Sequence, residues 1–228
     1  MTPLTMVSLS VEDGFVYKDV EFKEFQKIAR LSRECVITEK IDGTNAQIYI
    51  YECDGSGSDN CGELHMRIGS RTRWLSAKED NHGFCKWAME HRDELLKLGP
   101  GRHYGEWWGS GIQRGYGLPK GEKRLSLFNT GAWTPENVPA CVSVVPVLYR
   151  GIFSTSYAGM CLERLILEGS VAAPGYRNPE GIIIYHTAAG VYFKKTIEKD
   201  EVPKSKEPQA IYSGPQVFTT STKLTPWT

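Results

Sequence analysis

The chain has 228 residues, with 27 basic and 27 acidic side chains, 40% hydrophobic residues and 23 glycines. This length suits a single domain with an ordinary core, and a net charge of zero is unlike the strongly basic balance of many nucleic-acid binders, although it is compatible with a basic face. No apolar run reaches the roughly 18 residues of a membrane span, and the N-terminal MTPLTMVSLSVEDG lacks the regions of a signal peptide. We therefore expect a cytoplasmic protein with no membrane partner.

The first half of the chain predicts strands with two helices between them. Apolar residues recur at helical spacing in EFKEFQKIARLS (21–32) and in NHGFCKWAMEHRDELLKLG (81–99). A polar, glycine-rich segment at 52–63 is expected to be a loop or hairpin tip. Strands are expected in GFVYKDV (14–20), in a hairpin near 35–41 and 44–52, and in LHMRIG (64–69).

The second half predicts further strands and one long helix, YAGMCLERLILEGS, with a glycine stop. From Glu198 onward the chain is polar and is expected to form a loose tail, docked in part through Trp227. The many antiparallel strands with two or three helices predict an α+β fold. Its later strands are expected in HYGEWWG, in KRLSLF, on either side of Pro146, and in a last hairpin around TAAG (180–197).

Six cysteines, at positions 35, 53, 61, 85, 141 and 161, include no C-x-x-C pair, so reduced thiols are expected. Cys53, Cys61 and His65 flank the polar loop. Their spacing matches no standard zinc site, and we do not expect a metal there.

Lys40 precedes Asp-Gly-Thr-Asn in ITEKIDGTNAQIYI, where a turn needs only the Asp-Gly. A lysine at a turn is usually a solvated charge. If Lys194 of YFKKTI approached it, the like charge would depress the Lys40 pKa and produce a usable nucleophile. On the alternative interpretation, Lys194 and Lys195 only protect an edge strand from aggregation.

Other side chains allow either an ordinary structural role or a role in a nucleotide site. Glu106 and Glu180 abut apolar strands, either as exposed ends or as inward groups for a metal ion or ribose. Arg71 beside a glycine turn could clamp a phosphate, whereas Arg73 is expected to be solvated. Phe128 is either core or a stacking platform for a base. GSGIQRGYG matches no nucleotide-binding fingerprint and indicates only a loop.

Taken in order, EKIDGTN, SRT, YGEWWGSGIQRG, LFN, EGIII and FKKT resemble the six motifs of the covalent nucleotidyltransferases, which include polynucleotide ligases and mRNA-capping enzymes. The chain is most similar to ATP-dependent RNA ligases, above all the phage branch that seals nicks in duplex RNA, over residues 36–197. The resemblance implies an ATP-grasp-like catalytic domain, with two antiparallel sheets flanked by helices and a nucleotide pocket between them. We expect this adenylation domain at 1–200 and the tail at 201–228, in the host cytoplasm if the protein is phage-encoded.

The resemblance also implies roles for individual residues. Lys40 would attack the α-phosphate of ATP and form a lysyl–AMP intermediate, Lys194 would contact that phosphate, and Asp42 would support the later steps. RNA carrying 3′-hydroxyl and 5′-phosphate ends would be the substrate, and magnesium (Mg²⁺) or manganese (Mn²⁺) would assist. The implied nucleotide-binding residues are Glu39 beside the adenine, Arg71 and Glu106 at the ribose and phosphates, Phe128 stacked on the base, and Lys195. Glu180 and Asn45 would also bind the nucleotide and would hold the metal through water.

Two departures from the family pattern matter. The last motif of that branch carries two lysines one residue apart, whereas here Thr196 fills the second position. Because side chains alternate along a strand, only one of Lys194 and Lys195 can face the pocket, and we expect Lys194 to do so. About thirty residues follow Ile197, too few for an independent C-terminal domain. We therefore expect a minimal, monomeric catalytic domain that binds RNA weakly and salt-dependently, with an accessory protein to grip the nucleic acid.

Alternatives within the same chemistry are a DNA ligase and a capping-type guanylyltransferase, both of which normally carry a further β-barrel domain. A third alternative, of another class, is a nucleotide- or RNA-binding module that kept the fold and lost turnover.

Overall fold

The computed structural model describes residues 9–12, 15–18, 21–52 and 63–200. Two short helices and one long one accompany eleven strands in these ranges. The helices are α1 (Phe84–Glu90), α2 (Arg92–Leu95) and α3 (Thr155–Glu168), with 3₁₀ turns at Leu96–Leu98 and Gly115–Gly117. The strands are β1 (Leu9–Glu12), β2 (Phe15–Lys18), β3 (Glu34–Lys40), β4 (Thr44–Glu52), β5 (Leu64–Gly69), β6 (Gly101–Gly109), β7 (Lys123–Leu127), β8 (Ser143–Val144), β9 (Val147–Ile152), β10 (Gly181–His186) and β11 (Val191–Thr196).

Beside the β1–β2 hairpin, the strands form two larger sheets. A four-stranded sheet has the order β11-β10-β3-β9 and is antiparallel throughout. A five-stranded sheet has the order β5-β4-β6-β7-β8 and is antiparallel except for the β7–β8 pair. The predicted α+β fold with two mainly antiparallel sheets is therefore confirmed.

The chain passes from one sheet to the other at the very stretch that resembles a hairpin. Strands β3 and β4 lie where they were expected, but β3 pairs with β9 and β10, whereas β4 pairs with β5 and β6. The prediction of a hairpin between them is wrong, because the buried Ile41 in the connection packs between the sheets instead of turning the chain back. A second crossing occurs at Pro146, between β8 and β9, and its carbonyl accepts a hydrogen bond from the Glu39 N–H at 2.9 Å.

Each sheet has its own hydrophobic core. One face of the five-stranded sheet is covered by α1 and α2, where Phe84 and Trp87 pack on Trp107 with ring centroids 5.4 and 4.9 Å apart. The predicted helix over 81–99 is confirmed, although His91 divides it in two. The four-stranded sheet is covered by α3, whose predicted glycine stop is Gly169 and whose first turn is capped by the Ser154 hydroxyl.

A third, smaller cluster joins the two crossings. Ile41, Trp108, Tyr116, Val145 and Ala173 are buried together there. The neighbouring Gly43 is packed so tightly that a Cβ atom would lie 2.4 Å from the Trp107 carbonyl oxygen and 2.8 Å from Trp108 Cβ. The connection between Lys40 and β4 is therefore held in one path by packing on both sides.

One predicted helix is absent. Residues 21–32 have no regular secondary structure, and Phe22, Phe25, Ile28 and Leu31 are 66–88% exposed. Helical spacing of apolar residues favours a helix only when a core covers that face, and no such contact occurs in the described part of the chain. The predicted strand at 14–20 is confirmed as β2.

Several other expectations lie outside the described residues, namely Cys53, Cys61 and the tail at 201–228. No described helix has the length and apolar composition that would let it cross a membrane.

Substitution of Gly43 by alanine is expected to destabilise the protein by about 1–3 kcal/mol, because the added methyl group overpacks the crossing. Urea unfolding followed by circular dichroism would measure the free energy of unfolding. Gly159→Ala is the matched control: its Cβ meets nothing within 4 Å, so in the middle of α3 it should stabilise by up to about 1 kcal/mol. Equal effects of the two substitutions would contradict the assignment.

Candidate active site

Lys40 is the last residue of β3 and stands at the mouth of the cleft between the sheets. Its Nζ forms an ion pair with the Glu180 carboxylate, and the two side chains are 20% and 2% exposed. Register brings them together, since Lys40 is opposite Gly181, the first residue of β10. The expected charged neighbour of Lys40 was a second lysine, whereas the structure provides a carboxylate.

Glu106 is a second buried carboxylate at the crossing. It faces Asn45 across the β4–β6 pair and accepts a hydrogen bond from the Gly43 N–H at 2.9 Å. Burial raises the pKa of Glu106 to about 7, and the Gly43 hydrogen bond and the charge of Lys40 only partly oppose that rise. The group therefore changes its charge near neutral pH, next to Lys40.

Asp42 is fixed from two sides. Its N–H donates to the Tyr116 hydroxyl at 2.9 Å, and its carboxylate accepts from Arg114 Nε at 3.3 Å. The Arg114 guanidinium also donates to Asn178 at 2.7 Å and lies 3.7 Å from the Glu198 carboxylate. Arg114 thus connects the crossing to the segments on either side of the β10–β11 hairpin.

The sequence offered no signal for Arg114, because one arginine in a glycine-rich loop has no predictable partner. The loop owes its shape to backbone conformations with positive φ at Gln113 (43°) and Tyr116 (52°). The role of Arg114 is therefore evident only from its contacts with Asp42, Asn178 and Glu198.

The Glu39 side chain points away from the cleft and anchors the loop after α3. Its carboxylate accepts hydrogen bonds from the Ser170 hydroxyl at 2.6 Å and from the N–H groups of Val171 and Ala172 at 2.8 and 2.9 Å. Burial raises the pKa of Glu39 even though these hydrogen bonds favour the charged form. The Glu39 side chain is therefore held by the loop after α3.

The cleft has two connected parts. One, of about 900 Å³, is lined by Lys40, Glu39 and Glu106. The other, of about 640 Å³, is lined by Arg71 and Lys194. Both parts share Asn45, Tyr104, Phe128, Ile183 and Tyr192. The structure thus brings most of the predicted site residues around one opening, with Phe128 37% exposed at their junction.

The two lysines of β11 point in different directions. Lys194 lines the cleft opposite Ile183, whereas Lys195 forms an ion pair with Asp200 at 3.3 Å. Thr196 donates its N–H to the same carboxylate at 2.8 Å. Lys195, expected among the nucleotide-binding residues, is therefore placed outside the cleft by the alternation of side chains along the strand. Arg73 binds Glu79 at the surface, as its solvated turn predicted.

The donor atoms near Lys40 determine which kind of metal ion could bind there. Within the described ranges, no three His, Cys, Asp or Glu side chains are grouped to hold an ion directly. Glu180 and Asn45 supply hard oxygen donors, which suit a hydrated Mg²⁺ or Mn²⁺ that takes most of its ligands from water and phosphate. This donor set fits the water-mediated site that was expected and does not fit zinc.

The pKa of Glu106 gives the first prediction for this site. The carboxyl titrates near 4.5 when unfolded and at about 7 when folded, so the folded state binds its proton more tightly. The free energy of unfolding should fall by roughly 2–3 kcal/mol between pH 4.5 and 7 on this account, and the fall should be absent in Glu106→Gln. Urea unfolding at a series of pH values would measure it, with Glu168→Gln on exposed α3 as the control. Parallel profiles for wild type and Glu106→Gln would contradict the assignment.

Comparison with solved structures found matches that include forms of Naegleria gruberi RNA ligase. An apo lysine-to-alanine variant of Naegleria gruberi RNA ligase matches with a TM-score of 0.48 and 18% identity over 72% of this chain and 50% of that chain. A second variant, with ATP and Mn, matches with a TM-score of 0.46 and 16% identity over the same shares. The same ligase with PPi gives 0.45 and 18%, again over 72% and 50%. This chain thus spans about half the length of these structures.

A search of curated proteins found no match. The model of one protein family, RNA ligase, matches residues 33–200. That range is most of the chain and extends from β3 through β11, with every strand of both larger sheets. The chain therefore belongs to the RNA ligase family.

Proposed function

We propose that the protein is an ATP-dependent RNA ligase that joins a 3′-hydroxyl end to a 5′-phosphate end through a lysyl–AMP intermediate. The observation that carries this proposal is the position of Lys40, a lysine at the mouth of a cleft large enough for a nucleotide and paired with a buried carboxylate. Family membership supports the same chemistry. The solved relatives include complexes with ATP and Mn and with PPi, ligands that such a reaction uses and releases.

In the first step, Lys40 Nζ attacks the α-phosphorus of ATP. A nitrogen–phosphorus bond forms, the bond from the α-phosphorus to the bridging oxygen breaks, and pyrophosphate leaves. The nitrogen must lose a proton to attack, and the Glu180 carboxylate in contact with it is placed to accept that proton. Arg71 and Lys194 line the adjoining part of the cleft, where their charges can neutralise the phosphates.

Phe128 and the neighbouring backbone provide the adenine site. The ring stands at the junction of the two parts of the cleft, partly exposed and beside Tyr104. An exposed aromatic face of this kind stacks well on a base. Stacking there would hold the nucleotide with its phosphates toward Lys40.

In the later steps, the RNA 5′-phosphate displaces Lys40 from the AMP, and the 3′-hydroxyl then displaces AMP from the RNA. Asp42 follows Lys40 by two residues and is held by Arg114 and Tyr116. A carboxylate fixed in this way can orient an incoming end, and correct orientation is a large part of the rate of phosphoryl transfer. Glu180 and Asn45 would hold the Mg²⁺ or Mn²⁺ ion through water, and that ion would neutralise phosphate charge.

RNA as the partner, a monomeric state and an accessory protein that grips the RNA belong to the same proposal. The zero net charge gives the chain little overall attraction for a polyanion, so an accessory protein would add affinity to the local contacts that this chain makes with RNA.

Intact-protein mass after incubation with ATP and Mg²⁺ tests the first step. We expect one added AMP on the wild type, none on Lys40→Ala, and none when GTP replaces ATP. A label from GTP would favour the capping-type reaction. The absence of any adduct, with ATP still raising the melting temperature, would favour the binding module without turnover.

The two lysines of β11 form a matched pair for a second test. Lys194→Ala is expected to slow AMP labelling by about 10²-fold, since it removes a cation that faces the phosphates. Lys195→Ala is expected to change the rate little, because that side chain binds Asp200 outside the cleft. Single-turnover labelling would compare them, and a larger loss in Lys195→Ala would refute the assigned orientation.

Arg114 gives a test of the later steps. Arg114→Ala should leave AMP labelling of Lys40 largely intact and slow the sealing of pre-adenylated RNA by about 10²-fold, because Asp42 loses its partner. Arg114→Lys should restore part of the rate. If Arg114→Ala slowed both steps equally, Arg114 would have a general structural role instead.

A further inference from the structure

A row of aromatic and arginine side chains continues from the cleft along the open face of the five-stranded sheet. We call Tyr49, Tyr51, Arg67, Trp74 and Arg102 the arginine–tyrosine strip. The face of the sheet opposite the α1 and α2 core carries this strip, since Ile48 and Ile50 of the same strand point into that core. Nothing in the described part of the chain covers the strip as the helices cover the other face.

Strand register places the strip residues side by side. Tyr49 on β4 is opposite Arg67 on β5 and Arg102 on β6. The Arg102 guanidinium lies 4.3 Å from the Tyr49 ring centroid, and the Arg67 guanidinium lies 4.6 Å from that of Trp74. Tyr49 and Tyr51 stack with centroids 5.4 Å apart.

Trp74 reaches this face because the chain folds back after β5. It forms an isolated bridge to Gly69, where a Cβ atom would lie 3.1 Å from the indole ring. The indole therefore lies beside both arginines, with the Arg102 guanidinium 5.7 Å from its centroid. Such cation–π contacts hold a guanidinium in place without using its N–H donors.

The charges of the strip are unbalanced. Among the described residues, neither Arg67 nor Arg102 has a hydrogen-bond acceptor or an acidic partner; the interactions found for them are with aromatic rings. Glu106 is the one carboxylate among the β4, β5 and β6 residues of this face, and it lies in the cleft. By contrast, five arginines elsewhere are paired with acids: Arg73–Glu79, Arg92–Glu63, Arg114–Asp42, Arg124–Glu122 and Arg164–Glu168.

The strip is continuous with the cleft. Arg102 lines the larger part of the cleft and also stacks on Tyr49. Tyr104, two residues further along β6, is 50% exposed and lines both parts of the cleft beside Phe128. A chain that leaves the cleft past Tyr104 therefore meets the strip next.

We propose that the arginine–tyrosine strip binds a single strand of RNA next to the end being joined. The guanidiniums of Arg67 and Arg102, held on aromatic rings, contact successive phosphates, and the exposed ring of Tyr104 offers a face for a base. This inference rests on the proposed function, because it supplies the grip on RNA that a neutral protein otherwise lacks.

Fluorescence anisotropy with a 5′-phosphorylated, unstructured single-stranded RNA tests the strip. Arg67→Gln/Arg102→Gln is expected to weaken binding by about 10-fold or more at low salt and to reduce the slope of log affinity against log salt by about 1.4, for two lost phosphate contacts. Arg164→Gln, which removes an exposed arginine from α3, is the control for net charge and should change each quantity by less than half as much. Arg67→Lys/Arg102→Lys should retain much of the salt slope, because it keeps the two charges.

AMP labelling of Lys40 separates this inference from the proposed function. Arg67→Gln alone should take up AMP at the wild-type rate and melt within a few degrees of the wild type, because Arg67 does not line the cleft. A loss of RNA binding by this variant would then belong to the strip. Unchanged RNA affinity and salt slope, or a loss no larger than that of Arg164→Gln, would overturn the inference even if labelling were normal. Failure of the wild type to label would refute the proposed function, while the anisotropy would still decide whether the strip binds RNA.

Discussion

The path of the chain from β3 to β4 is the constraint on which the rest of the site depends. A strand that ended in a hairpin would leave Lys40 at a sheet edge in water. Because Ile41 is buried between the sheets and Gly43 has no room for a side chain, the chain crosses from one sheet to the other. Lys40 then lies where both sheets meet, next to the buried Glu180 and Glu106.

Three buried glutamates surround this crossing, and each has a different compensation for the cost of burying a carboxylate. Glu39 has three hydrogen-bond donors from the loop after α3, Glu180 has the Lys40 ammonium, and Glu106 has the Gly43 N–H. The least compensated is Glu106, and its pKa rises to about 7. The hydrogen bonds of Glu39 therefore hold the loop after α3 to β3, whereas Glu106 is able to change its charge near neutral pH.

Sequence patterns predicted most of the elements because local spacing determines them. Strands β3 to β11 and helix α3 follow alternation, helical periodicity and glycine stops. The pairing of β3 with β10 instead of β4, and the contact of Arg114 with Asp42, join residues far apart in the chain and leave no local signal. The absent helix at 21–32 shows that local spacing is not sufficient. Phe22 and Phe25 have the spacing of a helix, but they are exposed and no core covers them. Strand alternation predicts that Lys194 and Lys195 point to opposite sides of β11. To know which of them faces the cleft, the position of β11 against β10 was needed.

The zero net charge and a role in handling RNA are compatible because of where the charges lie. Three arginines on the outer surface are neutralised by a glutamate a few residues away, in the pairs Arg73–Glu79, Arg124–Glu122 and Arg164–Glu168. Such pairs contribute little to stability or to a distant field. Arg67 and Arg102 are instead held by aromatic rings, which orient a guanidinium without cancelling its charge. The net charge counts acid-paired and ring-held arginines equally, whereas a polyanion is attracted only by the ring-held ones. Arg67 and Arg102 are of this kind, and Arg102 also lines the cleft that presents Lys40.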